Sequence, residues 1–210
     1  HPRVRRQRQM CIRDRCIYLT QLKIKKMKVN GIKVKAVWGQ ISAVQADAYV
    51  VPEYPDHVSS TPMINDIIAG GAQYGFDVFK RHLSLGSLNM CSAVLSVANG
   101  GNSRYLIHSV VLGGPAEKLA SNIEDAMSAV MTIARPQKEM ITSMAMPLIG
   151  FGEFGSLSAT AAAIALLSGI NNFNRKHYIK EIKIVIAASP EAVDEVNRVI
   201  KCGEYINSEY

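Results

Sequence analysis

From residue 27 onward, stretches rich in β-branched residues alternate with stretches of helical periodicity. Ile32–Val37 alternates apolar and polar positions, which predicts a half-buried strand. Ala48–Val51 is a short apolar run that suits a buried strand closed by Pro52. Residues 52–62 carry three prolines and read as a loop. Met63 to about Leu83 reads as helix in two pieces, interrupted at Gly70–Gly71 and at Gly75. Ala93–Ala98 and Tyr105–Leu112 are strand-like, and Asn99-Gly100-Gly101-Asn102 between them predicts a hairpin. Ile123, Met127, Val130 and Met131 fall at helical spacing, giving a helix from about Ser121 to Ala134. Met144–Ile149 predicts a buried strand, and an Ala-rich helix follows from about Leu157 to Phe173. Ile182–Ala188 is the last strand. Ser189 as N-cap and Pro190 at the first helical position then open a final helix. The expected fold is α/β: a single three-layer α/β/α domain over residues 27–201, with a mixed central sheet. Residues 202–210 read as a polar tail.

Composition narrows the class. The chain has 210 residues, 48% of them hydrophobic, which suits one globular domain. The longest apolar run, Ala161–Leu167, is too short to span a membrane. The net charge of +7 suggests a nucleic-acid partner until its location is considered. Residues 1–26 hold nine of the 24 Lys and Arg and one acid, leaving fifteen basic against sixteen acidic residues in the body. A near-neutral body ranks nucleic acid lowest among partners. The basic leader lacks a signal-peptide apolar core and an amphipathic stripe. Gln7–Arg15 resembles translated adapter sequence, so residues 1–26 are expected to be foreign to the fold, with Met27 as a natural start. Of four cysteines, Cys91 and Cys202 lie in the body, far apart and without CxxC spacing. That suits a reducing cytoplasm and gives no metal site. No cofactor is implied.

Chemistry concentrates in loops beyond strand ends, where ligands of α/β sheets settle. Pro147–Leu157 runs from a buried strand through Gly150, Gly152 and Gly155 into a helix. Glycines let backbone amides approach a ligand, and the following helix adds a positive N-terminus, a geometry suited to a diphosphate. A tight connection that binds nothing uses the same pattern. Phe154 offers a ring for stacking or for core packing. Glu153 would repel phosphate if turned inward, so it is expected to face solvent. Glu53, Asp56 and His57 lie close in sequence; two carboxylates and an imidazole can activate water, and Asp and His are equally common in solvated turns. Asp66 and Asp77 read as exposed or capping, His108 as a satisfied half-buried histidine, and Trp38 as a core aromatic.

The body resembles the macro domain family, the ADP-ribose-binding fold. Gly39-Gln40-Ile41-Ser42 resembles the family's Gly-Asp-Ile-Thr. Asp47-Ala48-Tyr49-Val50 resembles Asp-Ala-Ile-Val, and Tyr105–His108 resembles a strand ending in Ile-His. Pro147–Gly155 resembles the diphosphate loop Pro-x-Ile-x-x-Gly-x-x-Gly. Asn102–His108 also resembles a bacterial subgroup whose pattern DAYVVP is followed by a Ser/Gly loop and Asn-Ser-x-x-Leu-Ile-His. The resemblance covers about residues 33–200.

The resemblance implies a ligand, ADP-ribose or an ADP-ribosylated protein. Adenine would lie near Gln40, Ile41 and Ser189. The diphosphate would lie on amides of Gly150, Phe151, Gly152, Glu153, Phe154 and Gly155 and on hydroxyls of Ser59, Ser60 and Thr61. Phe154 would flank the distal ribose. Departures are visible. Gln40 replaces the adenine-reading Asp, and Val51-Pro52-Glu53-Tyr54 replaces Asn-Ala-Ala-Asn, whose second Asn orients the ribose in hydrolytic members. Binding is therefore the first expectation. Hydrolysis of an ADP-ribosyl or O-acyl-ADP-ribose bond is one alternative, and a degenerate fold serving as an interaction scaffold is another.

Overall fold

The computed structural model describes residues 28–203. A seven-stranded sheet forms the middle layer, from β1 (Lys28–Val29), β2 (Ile32–Trp38), β3 (Ala48–Glu53), β4 (Ala93–Gly100), β5 (Ser103–Val110), β6 (Ser143–Pro147) and β7 (Glu181–Ile186), in the order β1-β2-β7-β6-β3-β5-β4. The strands from β2 to β5 run parallel, and β1 and β4 close the two edges antiparallel. The mixed sheet expected from the Asn99–Asn102 turn is therefore observed.

Helices cover both faces. One layer holds α1 (Pro62–Ile67) and α2 (Gln73–Leu83); the other holds α3 (Leu119–Ala134), α4 (Ala159–Asn171) and α5 (Pro190–Cys202). Ile64, Ile67 and Phe76 of the first layer pack on Tyr49, Val51, Leu106 and Val185. Ile123, Met127, Leu166, Ile170 and Val196 of the second pack on Val34, Val50, Ile107, Met144 and Ile184. The two lists draw on alternate residues of the same strands, the period of two of a sheet buried on both faces.

Several boundaries differ from expectation for identifiable reasons. Pro52 does not close β3, which continues to Glu53. The strand pairs with β5 as far as Glu53 but with β6 only at Ala48 and Tyr49. The missing Pro52 N–H points to the side where no partner strand remains, so the ladder loses nothing. Gly75 does not interrupt α2. A Cβ there would lie 2.6 Å from Leu106 Cδ1, so this glycine serves close helix–sheet packing. The break lies at Gly71, with φ +106 in a π-turn over Ile68–Ala72. Its backbone packs on the hairpin tip: a Cβ on Gly100 would lie 2.5 Å from the Gly71 carbonyl oxygen.

Trp38 is not a core aromatic; it is 66% exposed. Asn197 on α5 accepts from the Ala36 amide at 3.1 Å and donates to the Ala36 carbonyl at 3.3 Å, sealing that edge of β2. Trp38 stands two residues further along, past the helical cover. Cys202, expected to open a polar tail, instead ends α5, and Gly203 caps it at φ +67; residues 204–210 of that expected tail lie outside the described residues. The leader expected over 1–26 also lies outside them. No helix among the described residues is long and apolar enough to cross a membrane.

Candidate functional site

The carboxyl ends of β2, β7 and β6 open on one side of the sheet, and the segments that leave them enclose a cleft of about 320 Å³. Gly39, Gln40 and Ile41 follow β2; Ala187 and Ala188 follow β7; Leu148 and Phe151–Phe154 follow β6; Pro62, Met63 and Asp66 face them from α1. Strand-end clefts of about 300–1,000 Å³ are the usual small-molecule sites of parallel α/β sheets.

Each wall has a local cause. After β2, Ile41–Ala43 forms a short 3₁₀ turn. Asp66 holds it from below, accepting from the Ser42 amide at 3.1 Å and from the Ser42 hydroxyl at 2.7 Å. Tyr49 ties its far end by donating its hydroxyl to the Val44 carbonyl at 2.8 Å. Burial, together with the nearby Asp66 charge, pushes the Tyr49 phenol up to about 12. Opposite, Thr61 caps α1 by accepting from the Ile64 amide at 3.3 Å, and Pro62 occupies the first helical position.

The glycine-spaced loop forms the third wall. Gly150 adopts φ +92, and a Cβ there would lie 2.7 Å from Ile123 Cδ1, so no larger residue fits. Gly152 opens a 3₁₀ turn, Gly152–Phe154, at φ +64 with open space around its Cβ position. Within this loop the Phe151 amide donates to the Leu148 carbonyl, Phe154 to Phe151, and Gly155 to Gly152. The Gly152 and Glu153 amides come first in the turn and donate to no carbonyl within it. Two of the amides in the expected stretch are thus free of the loop's own bonding, and both residues line the cleft.

The expected site residues sort into three groups. Gln40, Ile41, Phe151, Gly152, Glu153 and Phe154 line the cleft together. Gly150 and Gly155 support its wall from behind, where a Cβ on Gly155 would lie 2.6 Å from Leu119. Ser59, Ser60, Thr61 and Ser189 lie outside the lining. Ser60 is exposed, the Thr61 hydroxyl is spent on its cap, and Ser189 caps α5 while donating to Glu191 at 2.6 Å. Phe154 is 4% exposed and belongs to the core; Phe151 is the more open ring.

Glu153 is exposed to solvent, in keeping with the expectation, and it also borders the cleft. Partial withdrawal from water pushes its carboxyl pKa above the ordinary value, which the nearby Met63 backbone only partly offsets. Among the described lining residues the charged groups are two carboxylates, Asp66 and Glu153, with no Lys, Arg or His.

Glu53, Asp56 and His57 are not brought to one surface. Asp56 and His57 pair with each other at 2.7 Å in the exposed loop, where His57 stacks on Tyr54. Glu53 is fully buried. It accepts from the Ser59 amide at 2.7 Å and from His108 Nδ1 at 3.0 Å. His108 Nε2 lies 3.0 Å from Ser96 Oγ, and the ring stacks on Phe79. This serine–histidine–glutamate row has the order of a nucleophilic relay, yet every member is buried, so it braces the loop rather than meeting a substrate. Sequence spacing gave no sign of it, because its members come from three different strands. The lining residues Met63, Leu148 and Ala188 were also missed; being apolar, they carry no chemical signature.

No family model matches the chain. Solved structures resemble it closely in backbone. A variant of the Oceanobacillus iheyensis macrodomain, solved with ADPR, superposes with a TM-score of 0.70 at 15% identity, covering 84% of this chain and 96% of that one. A Trypanosoma brucei macrodomain in complex with ADP gives 0.62 at 14% identity, covering 81% and 68%. The macro domain of ganglioside induced differentiation associated protein 2 gives 0.62 at 18% identity, covering 81% and 84%. The chain therefore has the macrodomain fold.

Proposed function

We propose that this chain, as a macrodomain fold, is a module that binds ADP-ribose or an ADP-ribosylated ligand in the strand-end cleft. One observation carries the reading: the Gly152 and Glu153 amides donate to no carbonyl within the glycine-spaced turn, and both residues line a cleft between β6, β7 and α1. Backbone amides hold a diphosphate without a cationic side chain, which suits a lining that has none. Solved macrodomains of this fold contain ADPR or ADP, which supports the same ligand class.

In this reading the diphosphate rests on the Gly152 turn, beside the half-buried ring of Phe151. The adenine lies against Gln40 and Ile41, where the Gln40 amide oxygen accepts from its amino group. Binding is favoured over hydrolysis because the candidate water-activating groups are spent or distant. Glu53 is sealed in the core, and Asp56 pairs with His57 outside the cleft lining. Calorimetric titration of the full chain with ADP-ribose tests the proposal. Saturable binding at one site is expected; absence of binding at millimolar ligand rejects it and leaves the interaction scaffold as the surviving alternative.

A further inference from the structure

The end of the cleft assigned to adenine carries a carboxylate from the facing wall. Asp66 on α1, expected from sequence to be exposed or capping, is half-buried and lines the same space as Gln40 and Ile41. One residue holds both of its oxygens. Oδ2 accepts from the Ser42 amide at 3.1 Å, and Oδ1 accepts from the Ser42 hydroxyl at 2.7 Å. Ser42 belongs to the 3₁₀ turn that directly follows Gln40, so the carboxylate is fixed relative to that turn. An ionised carboxylate has about four acceptor sites and no donor. Ser42 fills two of them, and the described lining supplies no Lys, Arg or His to take the others.

We propose that Asp66 is a specificity-determining residue that selects a base carrying an exocyclic amino group, adenine over hypoxanthine. The inference rests on the binding reading above, which sets the adenine against Gln40 and Ile41. The two polar side chains at that end differ in what they can tell apart. The Gln40 side chain makes no cap bond to its turn. Its amide carries a donor and an acceptor and, by turning over, meets an amino group or a carbonyl equally well. The Asp66 carboxylate only accepts. An amino N–H gains a charge-assisted bond there, whereas a carbonyl oxygen in its place meets like charge. Because Ser42 holds both oxygens, the carboxylate does not swing to follow the ring N–H that hypoxanthine gains. The other carboxylate of the lining, Glu153, stands on the glycine-spaced turn after β6, which this reading assigns to the diphosphate.

The test measures, by calorimetry on the full chain, the affinities for ADP-ribose and for its hypoxanthine counterpart, inosine diphosphate ribose. Wild type, Asp66→Asn and Gln40→Ala are compared, with melting temperatures recorded for each. Wild type is expected to prefer ADP-ribose by about tenfold, the scale of one hydrogen bond to a charged group. Asn has the shape of Asp and keeps an oxygen for the Ser42 amide, while its nitrogen can donate to the Ser42 hydroxyl. In Asp66→Asn the preference should fall to about twofold or less, because an amide both donates and accepts. Gln40→Ala should weaken both nucleotides by a similar factor and keep the wild-type ratio. A carboxylate that only held the turn in place would move both affinities together and leave the ratio alone. A ratio that survives in Asp66→Asn therefore overturns the proposal, as does equal binding of the two nucleotides by wild type, and both results leave the binding reading intact. Loss of the ratio in Gln40→Ala also overturns it, by assigning the selection to Gln40, and this arm decides the matter even if Asp66→Asn does not fold. Binding of neither nucleotide by any of the three proteins overturns the proposal and the binding reading together.

Discussion

Glu53 and His108 lie 55 residues apart in sequence, yet the Glu53 carboxylate accepts from His108 Nδ1 at 3.0 Å with neither side chain exposed. The pair forms where β3 and β5 run parallel, with Val51 opposite His108. The second carboxylate oxygen accepts from the Ser59 amide, so one buried group anchors the loop between β3 and α1. Removing it leaves a buried ring nitrogen and a buried amide without partners. Glu53→Ala is expected to lower unfolding free energy by about 3–5 kcal/mol. Ser96→Ala, which removes the last member of the row, should cost about 1–2 kcal/mol. Urea denaturation measures both, and equal losses would show that the row is not organised around Glu53.

Acid sensitivity should centre on Asp47. Burial tends to raise its pKa, but the backbone and hydroxyl groups of Thr142 and Ser143 all donate to Oδ2 and hold the carboxyl below its ordinary value of 3.8. A depressed folded value means stability that is complete above pH 3.8 and is lost as pH falls through the folded value. Asp47→Asn can keep an amide oxygen for the four donors but loses the charge that strengthens those bonds, and should cost about 1–3 kcal/mol at pH 7. The difference from wild type should shrink below pH 3.8. Thermal melts across pH check the trend, and a difference that grows on acidification would contradict it.

The glycine-spaced loop should separate folding from binding. Gly152→Glu meets open space at its Cβ and only the strain of φ +64, so it should cost about 1–2 kcal/mol of stability. It should nonetheless abolish ADP-ribose binding, by placing bulk and a second carboxylate beside the Gly152 and Glu153 amides. Gly150→Val has no such room: at φ +92 its side chain would strike Ile123 and Leu157. A loss of about 3 kcal/mol or more is expected. Calorimetry and denaturation on both variants should give opposite orders of effect.

Two helix caps offer an additive pair. The Thr61 and Ser189 hydroxyls accept from amides three residues on, at the starts of α1 and α5 on opposite faces of the sheet. Thr61→Ala and Ser189→Ala should each cost about 1 kcal/mol, and the double variant their sum within about 0.5 kcal/mol.

Trp38 is the single tryptophan of the chain and is 66% exposed. Its emission should resemble that of a solvent-exposed indole and should be readily quenched by acrylamide. Trp38→Phe should change stability by no more than about 0.5 kcal/mol. A blue-shifted, protected emission would place the ring in a contact absent from this structure.

Local pattern was enough to read the order of strands and helices, the two faces of the sheet, and the cap at Ser189. It was enough because strand alternation, N-cap chemistry and glycine turns act over a few residues. The glycine-spaced loop was readable as part of a cleft because it follows a buried strand, and Gln40 and Ile41 through the macro domain resemblance. The expectation of Trp38 in the core failed because side-chain size predicts burial only where a neighbouring layer extends far enough to supply it.

What tertiary structure alone decided is which of these neighbours share a surface. Glu53, Asp56 and His57 are adjacent along the chain, but β3 carries Glu53 into the core and the loop carries the other two outward. Ser96, His108 and Glu53 are scattered along the chain, and three strands gather them. Glu153 and Met63 are ninety residues apart by their numbers, and only the approach of the two cleft walls places both in one lining. Sequence pattern governs contacts closed within one turn or one strand, whereas the charge balance of the cleft follows from strand order and parallel register. Those are properties of the whole sheet, which no local window contains.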